Sequence, residues 1–347
     1  MKRHLLFLAA LLIVNLAASA QKKFSVYAVG FYNQENLFDT CHDEGKKDYE
    51  YLPNKGWNGM KYTNKLRNMS KALADMGTDV LPNVGCAFIG LSEVENHKVL
   101  DALVDQAPLK ARNMKYVHIE GPDRRGIDCA LLYNPSLFSV KNVKLLPYVQ
   151  ELAKDSAFFT RGFLTVRGEM AGDDVAVFVC HGPSRFSGPF YRESAARQVK
   201  VIKDSLLNVN QEMKIFVMGD MNDDPVNKSM HVYLQAKPEI SQVGAGDMYN
   251  PWYNVLAKEG KGTLFYSGNW NLFDQIVITP NLLNKDAKKK DYSSLKYWKS
   301  HIFRRDYLIQ QEGQYKGAPL RTTAGGRWLN GYSDHLPVVM YLVKEKK

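Results

Sequence analysis

Six apolar, strand-like runs in this chain end in, contain or begin beside an acid, an amide or an imidazole. "KFSVYAVGFYN" (23–33) closes on Asn33, with Glu35 two residues on. "CAFIGLSEV" (86–94) carries Glu93 at its end and Glu95 just beyond. "DVAVFVCH" (174–181) closes on His181, and "MKIFVMGDMND" (213–223) on Asp220 and Asn222. "NLFDQIVIT" (271–279) holds Asp274, and Asp334 and His335 stand directly before "LPVVMYLV" (336–343). One such residue means little, because Asp and Asn favour turns and a Glu after a strand is often solvated. Six together constrain the fold. Sheets that bring these strand ends to one rim gather carboxylates, amides and two imidazoles there.

The rest of the chain alternates between strand-like and helix-like pieces. Leu66, Met69, Leu73 and Met76 recur at helical spacing, with Gly77 as the stop. "HKVLDALVDQA" (97–107) and "YRESAARQVKVIKDSLL" also read as helices. Between them, "MKYVHIEG", "IDCALLYN", "SVKNVKLLPY" and "FFTRGFLTVRGEM" follow one another across short breaks, which favours antiparallel neighbours. No repeat, low-complexity tract or linker divides the chain. The reading is one α/β domain over 21–347, with more strands than helices and helices covering the sheet faces. Too many strands connect directly for a doubly wound sheet.

The first 20 residues, "MKRHLLFLAALLIVNLAASA", have the basic start, short apolar run and small-residue ending of an export signal. The expectation is an exported protein, periplasmic or secreted, with no transmembrane segment in the mature chain and no stable protein partner, present as a monomer. Removing Lys2 and Arg3 lowers the formal charge of +10 by two, to +8. A basic exported chain suits polyanions or phosphorylated substrates, although charge also serves solubility. Cys86, Cys129 and Cys180 lie in or beside apolar runs and read as buried thiols, while Cys41 lies in a polar loop. No Cys pair has zinc-type spacing.

A rim of carboxylates and an amide suits a hard divalent cation, which prefers oxygen ligands and keeps several waters. H-E-x-x-H, the P-loop and the G-x-S-x-G elbow are all missing from the sequence. The chemistry that remains is metal-assisted attack of water on a phosphoester, with imidazoles handling protons.

Seven stretches resemble the endonuclease/exonuclease/phosphatase superfamily, which includes deoxyribonuclease I, exonuclease III, neutral sphingomyelinases and inositol polyphosphate 5-phosphatases. They are "YNQENLFD", "GLSEVEN", "DRRGIDCALLYNP", "CHGPSR", "GDMND", "LFDQIVI" and "GYSDHLPV", in the family's order along nearly the whole chain. The resemblance implies a four-layered α/β/β/α sandwich of two mixed sheets flanked by helices. It also implies Mg²⁺ or Mn²⁺ as cofactor. By position, Glu93, Asn33 and Asp334 match the metal site. Asp220 and Asn222 match the pair that orients water and contacts phosphate. His335 matches an imidazole held by a buried carboxylate, and Asp274 matches that carboxylate. His181 matches the second imidazole of the deoxyribonuclease and sphingomyelinase branches. Gly162 stands where that strand usually carries an acid.

Arg185, Arg124, Arg125 and Arg161 are candidate phosphate clamps, since guanidinium suits bidentate contact with phosphate. Their alternative is surface ion pairing. Tyr133 and Trp270 could stack on a base or headgroup, or pack in the core. The expected activity is a metal-dependent phosphodiesterase, with nucleic acid the favoured partner. The alternatives are a phosphatase or phospholipase C-like enzyme on small phosphoesters or lipid headgroups, and a catalytically silent polyanion binder.

Overall fold

The computed structural model describes residues 23–149, 160–286 and 288–346, and the expected export segment lies outside them. Its strands in chain order are β1 (Phe24–Leu37), β2 (Phe88–Val94), β3 (Lys115–His118), β4 (Asp128–Tyr133), β5 (Phe138–Leu146), β6 (Phe163–Met170), β7 (Asp173–His181), β8 (Lys214–Asp220), β9 (Ala236–Lys237), β10 (Met248–Tyr249), β11 (Leu264–Tyr266), β12 (Asn269–Asn271), β13 (Asp274–Ile278), β14 (Lys296–Ile302), β15 (Thr323–Ala324), β16 (Arg327–Trp328) and β17 (Val338–Glu345). One six-stranded sheet runs β14-β17-β1-β2-β4-β3, and one seven-stranded sheet runs β5-β6-β7-β8-β13-β10-β9. Both are mixed, since β1 is parallel to β2 and β7 to β8 while their other neighbours run antiparallel.

The sheets pack face to face. Val29, Phe31, Val338 and Met340 from the first interleave with Val177, Val179, Phe216, Met218 and Ile276 from the second, all essentially without solvent contact. Gly90 lets the sheets approach closely, because a Cβ there would meet the Met218 sulfur at 2.7 Å. On the outer face of the first sheet lie the helices Gly59–Asp75 and His97–Val104, burying Leu66, Met69, Leu73, Leu100 and Leu103. Each starts on an Asn whose side chain accepts backbone N–H groups, Asn58 from Lys61 and Asn96 from Lys98 and Val99. The long helix Pro189–Val209 covers the second sheet. Helix, sheet, sheet and helix make the four expected layers.

Two features set the spacing at the rim. Gly219 of β8 lies against β7, where a Cβ would fall 2.1 Å from the Cys180 carbonyl oxygen. The register between these strands pairs His181 with Asp220, and that between β8 and β13 pairs Asp220 with Asp274. Strand β14 was not anticipated. Its sequence, KYWKSHI, is mostly polar and partly exposed, because it is an edge strand with one neighbour. All four cysteines are free thiols, with Cys86, Cys129 and Cys180 buried and Cys41 exposed. Tyr133 meets Phe138 edge-on and Trp270 meets Phe265, the packing alternative for both aromatics.

Candidate active site

The second sheet delivers its part of the site by strict alternation. Val177 and Val179 point between the sheets, so His181 does too. The same parity places Asp220 beyond Phe216 and Met218, and Asp274 before Ile276 and Ile278. Three paired positions on three neighbouring strands thus form one row, His181–Asp220–Asp274, almost closed to solvent.

The first sheet delivers its part by breaking alternation. Asn33 follows Val29 and Phe31 inward, but Glu93 shares parity with Ile89 and Leu91, which face the helices. The strand bulges there, with register shifts between Ser92 and Val94 and between Asn33 and Leu37. Glu93 takes a left-handed backbone (φ 61°), as do Glu35 (φ 46°), Asn36 (φ 56°) and Asn222 (φ 51°). Asn tolerates this conformation, whereas Glu takes it at a cost of about 1–3 kcal/mol. The bulge turns Glu93 to meet Asn33 Nδ2 at 3.2 Å and the Asn36 backbone N–H at 3.0 Å.

Asn33 bridges the two sheets, donating through Nδ2 to Glu93 Oε1 and, at 3.0 Å, to Asp220 Oδ2. Its oxygen accepts the Glu35 backbone N–H at 2.8 Å, which fixes the orientation of the carboxamide. The expected amide ligand therefore presents nitrogen to the site and positions two carboxylates. Asp334 also differs from expectation. Arg321 donates to it at 3.0 Å and reaches Glu35 at 3.3 Å, so it stands beside the row in an ion-paired group. Glu35 is further held by the Thr322 backbone N–H, and burial with Asp334 nearby pushes its carboxyl up to about 7. Nothing in the sequence marks Arg321, which sits in a polar loop without a motif.

The two imidazoles have opposite surroundings. His335 Nδ1 lies 2.6 Å from Asp274 Oδ2, and its Nε2 faces Asp220 Oδ2 at 3.8 Å and Asp334 Oδ1 at 3.9 Å. Burial opposes its charge, but these carboxylates outweigh burial and raise its pKa well above the ordinary value. Ser333 Oγ accepts the His335 backbone N–H and donates to the Asn33 carbonyl, tying the last strand to the first. His181 Nε2 lies 3.7 Å from both Glu93 and Asp220. Burial, then Arg161, Arg125 and His335, push its pKa well below the ordinary value, so it is neutral. Its buried Nδ1 has no hydrogen-bond partner. Gly162 supplies none, since a Cβ there would lie 2.4 Å from the Leu146 carbonyl.

Glu93, His181 and Asp220 each present a ligating atom within 4.8 Å of the others, the arrangement among the described residues that could hold a metal ion. The donor set fits a divalent cation. Two carboxylates share a buried space with a neutral imidazole, and burial pushes Asp220 up to about 7, opposed by His335 and reinforced by Asp274 and Glu93. A bound cation supplies the missing positive charge. Asn222 lies beside Asp220, giving its backbone N–H to Oδ1 at 2.9 Å, while its side chain holds the Gly182 carbonyl at 3.0 Å.

The arginines divide. Arg185 is occupied by Asp224 at 2.7 Å, Asn271 at 2.9 Å and Asn227 at 3.2 Å, and lies over the Phe273 ring. Arg161 spans Asp123 at 2.9 Å and the Gly182 carbonyl at 3.1 Å. Both serve the rim's own structure. Arg124 and Arg125 are exposed on one turn, and Arg125 is close enough to act on His181.

A sandwich of this kind, with this rim, defines a class of phosphoester hydrolase. The endonuclease/exonuclease/phosphatase family model matches residues 28–344, and the chain belongs to that family. Solved structures agree on the fold. An endonuclease/exonuclease/phosphatase family protein from Bacteroides thetaiotaomicron is 14% identical, with TM-score 0.55, over 93% of this chain and 97% of that one. A mannosyl-6-phosphatase from the same organism is 14% identical, with TM-score 0.54, over 91% and 99%. D. rerio TDP2 complexed with a single-strand DNA product is 12% identical, with TM-score 0.52, over 92% and 99%. No curated protein matches the chain in sequence.

Proposed function

We propose that this chain is a divalent-cation-dependent hydrolase of small phosphoesters, and that nucleic acid is not its main substrate. The observation that carries this is where the charge lies. The lysines at 285, 288, 289, 290 and 296 belong to a segment that meets the far ends of β1 and β17, through Lys296 opposite Val343 and Tyr292 bonded to Glu345. Phe24 starts β1 at that pole and Asn33 lies nine residues on, roughly 30 Å away at strand rise. Near the cleft, Arg161, Arg185 and Arg321 are each engaged by a carboxylate, while the exposed Arg125 and Lys55 flank it without forming a continuous basic track. A nuclease needs cations free to follow a phosphate backbone. This distribution favours the small-phosphoester alternative. That the mannosyl-6-phosphatase shares the fold is compatible with it.

In the proposed mechanism Glu93, Asp220 and His181 would hold the cation, which lowers the charge on the phosphoryl oxygens. Arg125, on its exposed turn, is the side chain best placed to meet the phosphate. His335, kept charged by Asp274, directs Nε2 into the cleft and supplies a proton toward the leaving oxygen. Asn33 keeps the two carboxylates in place between the sheets.

The test offers Mg²⁺ or Mn²⁺ and, separately, a phosphomonoester, a small phosphodiester and plasmid DNA. Small esters should turn over, DNA should stay intact, and chelation should abolish the activity. Rapid cutting of DNA with the small esters untouched would overturn the substrate reading, and activity that survives full chelation would overturn the cation.

A further inference from the structure

Beside the row of catalytic candidates lies a cavity of about 330 Å³, within the range of small-molecule sites. It opens from the same rim. Asn36, in its wall, donates its backbone N–H to Glu93, and Asp334, also in its wall, lies 3.9 Å from His335 Nε2. The cavity thus flanks the His335 nitrogen that, in the reading above, protonates the leaving oxygen.

Its lining is polar and balanced. Three acidic side chains (Glu35, Glu50 and Asp334) face three cations (Lys55, Lys61 and Arg321), so the lining has no strong excess of either sign to select an ion. Arg321 is fixed between Glu35 and Asp334, so donor and acceptors alternate on a rigid frame. Tyr51 and Trp57 complete the wall. Tyr51 is stacked on Phe38 with ring centres 4.2 Å apart, and Trp57 meets Tyr51 edge-on at 5.7 Å. The Trp57 indole N–H is held by the carbonyls of Phe38 and Asp39. One face of Tyr51 is thus already used and Trp57 offers little surface, so the wall is poorly suited to stacking a nucleobase. It suits a compact ligand carrying many hydroxyls, each able to donate to a carboxylate and accept from a cation.

We propose that this cavity is a subsite for a neutral, polyhydroxylated leaving group of hexose size, and that Glu50, Lys55 and Arg321 set specificity through it. The inference rests on the small-phosphoester reading given above, which supplies the phosphate end of the substrate. The alcohol end is recognised by the cavity. A site built to hydrogen-bond hydroxyls discriminates strongly against an analogue that lacks them.

The experiment has two arms. With Mn²⁺ present, kcat/KM is measured for a hexose 6-phosphate and for n-hexyl phosphate, whose leaving group is also a primary alcohol but lacks the further hydroxyls, in the unaltered chain and in Glu50→Gln/Lys55→Gln, whose side chains are both exposed. The unaltered chain should prefer the hexose phosphate by at least about tenfold, and the double variant should bring that ratio close to one. Separately, free hexose is titrated by ligand-observed NMR and should bind the unaltered chain but not the variant. No hexose binding together with no preference would overturn the subsite while leaving phosphomonoester hydrolysis intact. A preference unchanged in the variant would overturn it as well. Hexose binding lost in the variant, in a protein that cuts DNA and ignores both esters, would uphold the subsite and overturn the catalytic reading.

Discussion

The two halves of the cleft reach the same place by opposite means. On the second sheet, His181, Asp220 and Asp274 occupy paired positions of regular strands, and their side chains arrive by ordinary alternation. On the first, Glu93 reaches the cleft only through a bulge and a left-handed backbone. One half is placed by the same pattern that forms the core. The other is placed against that pattern, at a local cost to stability. The imidazoles divide in the same spirit, since His335 is charged by its carboxylates and His181 is kept neutral by burial and arginines.

The largest effect expected from this contrast is kinetic. His335→Ala should lower kcat by ~10²–10⁴, with little change in the metal concentration needed for half-activity. His181→Ala should instead raise that metal requirement, by roughly 10–100-fold. Metal titrations of both variants test the division, and a His181 variant that loses kcat at an unchanged metal requirement would erase it.

Stability should separate the halves next. Asp274→Ala leaves the buried His335 without its partner and should destabilise the fold by roughly 3 kcal/mol. Glu93→Gly should inactivate the protein yet cost much less stability than Asp274→Ala, because glycine takes the left-handed backbone freely and this offsets the hydrogen bonds lost to Asn33 and Asn36. Urea unfolding of the two variants reads the difference directly. Equal losses of stability would show that the bulge carries no strain.

The smallest effect lies away from the cleft and serves as its control. Asp75 is partly buried, which raises its pKa, but Tyr307, Thr78 and Arg305 more than offset this and hold the carboxyl below its ordinary value. Such a group contributes stability above its unfolded pKa, and that contribution is lost as pH falls through the lower folded value. Asp75→Asn should therefore flatten the acid limb of a melting-temperature profile below about pH 4 while leaving kcat unchanged. A profile that keeps its slope would remove Asp75 from the account.

What could be read in advance follows the same division. Asp220, Asp274 and His181 were legible because their strands are apolar and regular, so a polar residue at the inward parity stands out. The charged His335 was legible as an imidazole before a buried strand. Glu93 was legible as an acid at a strand end, but the bulge that turns it into the cleft was not, since its parity points it toward the helices. The orientation of Asn33 depends on the Glu35 N–H, a backbone detail that no residue pattern carries. The overall charge was legible, but its position was not. Folding places the lysines of 285–296 at the pole opposite the cleft and ties Arg185 to Asp224, and the small-phosphoester proposal rests on that placement.

Gly219 has a wider consequence. It has no side chain to offer a substrate and lies one residue behind the cleft, yet the gap between the β7 and β8 backbones at Cys180 has no room for even a methyl group in its place. The spacing of His181 and Asp220 is therefore set by a side chain that is missing. Replacing Gly219 with alanine would pry apart two groups it never touches, so a survey of cleft-lining residues alone would overlook one of the tightest constraints on this enzyme's chemistry.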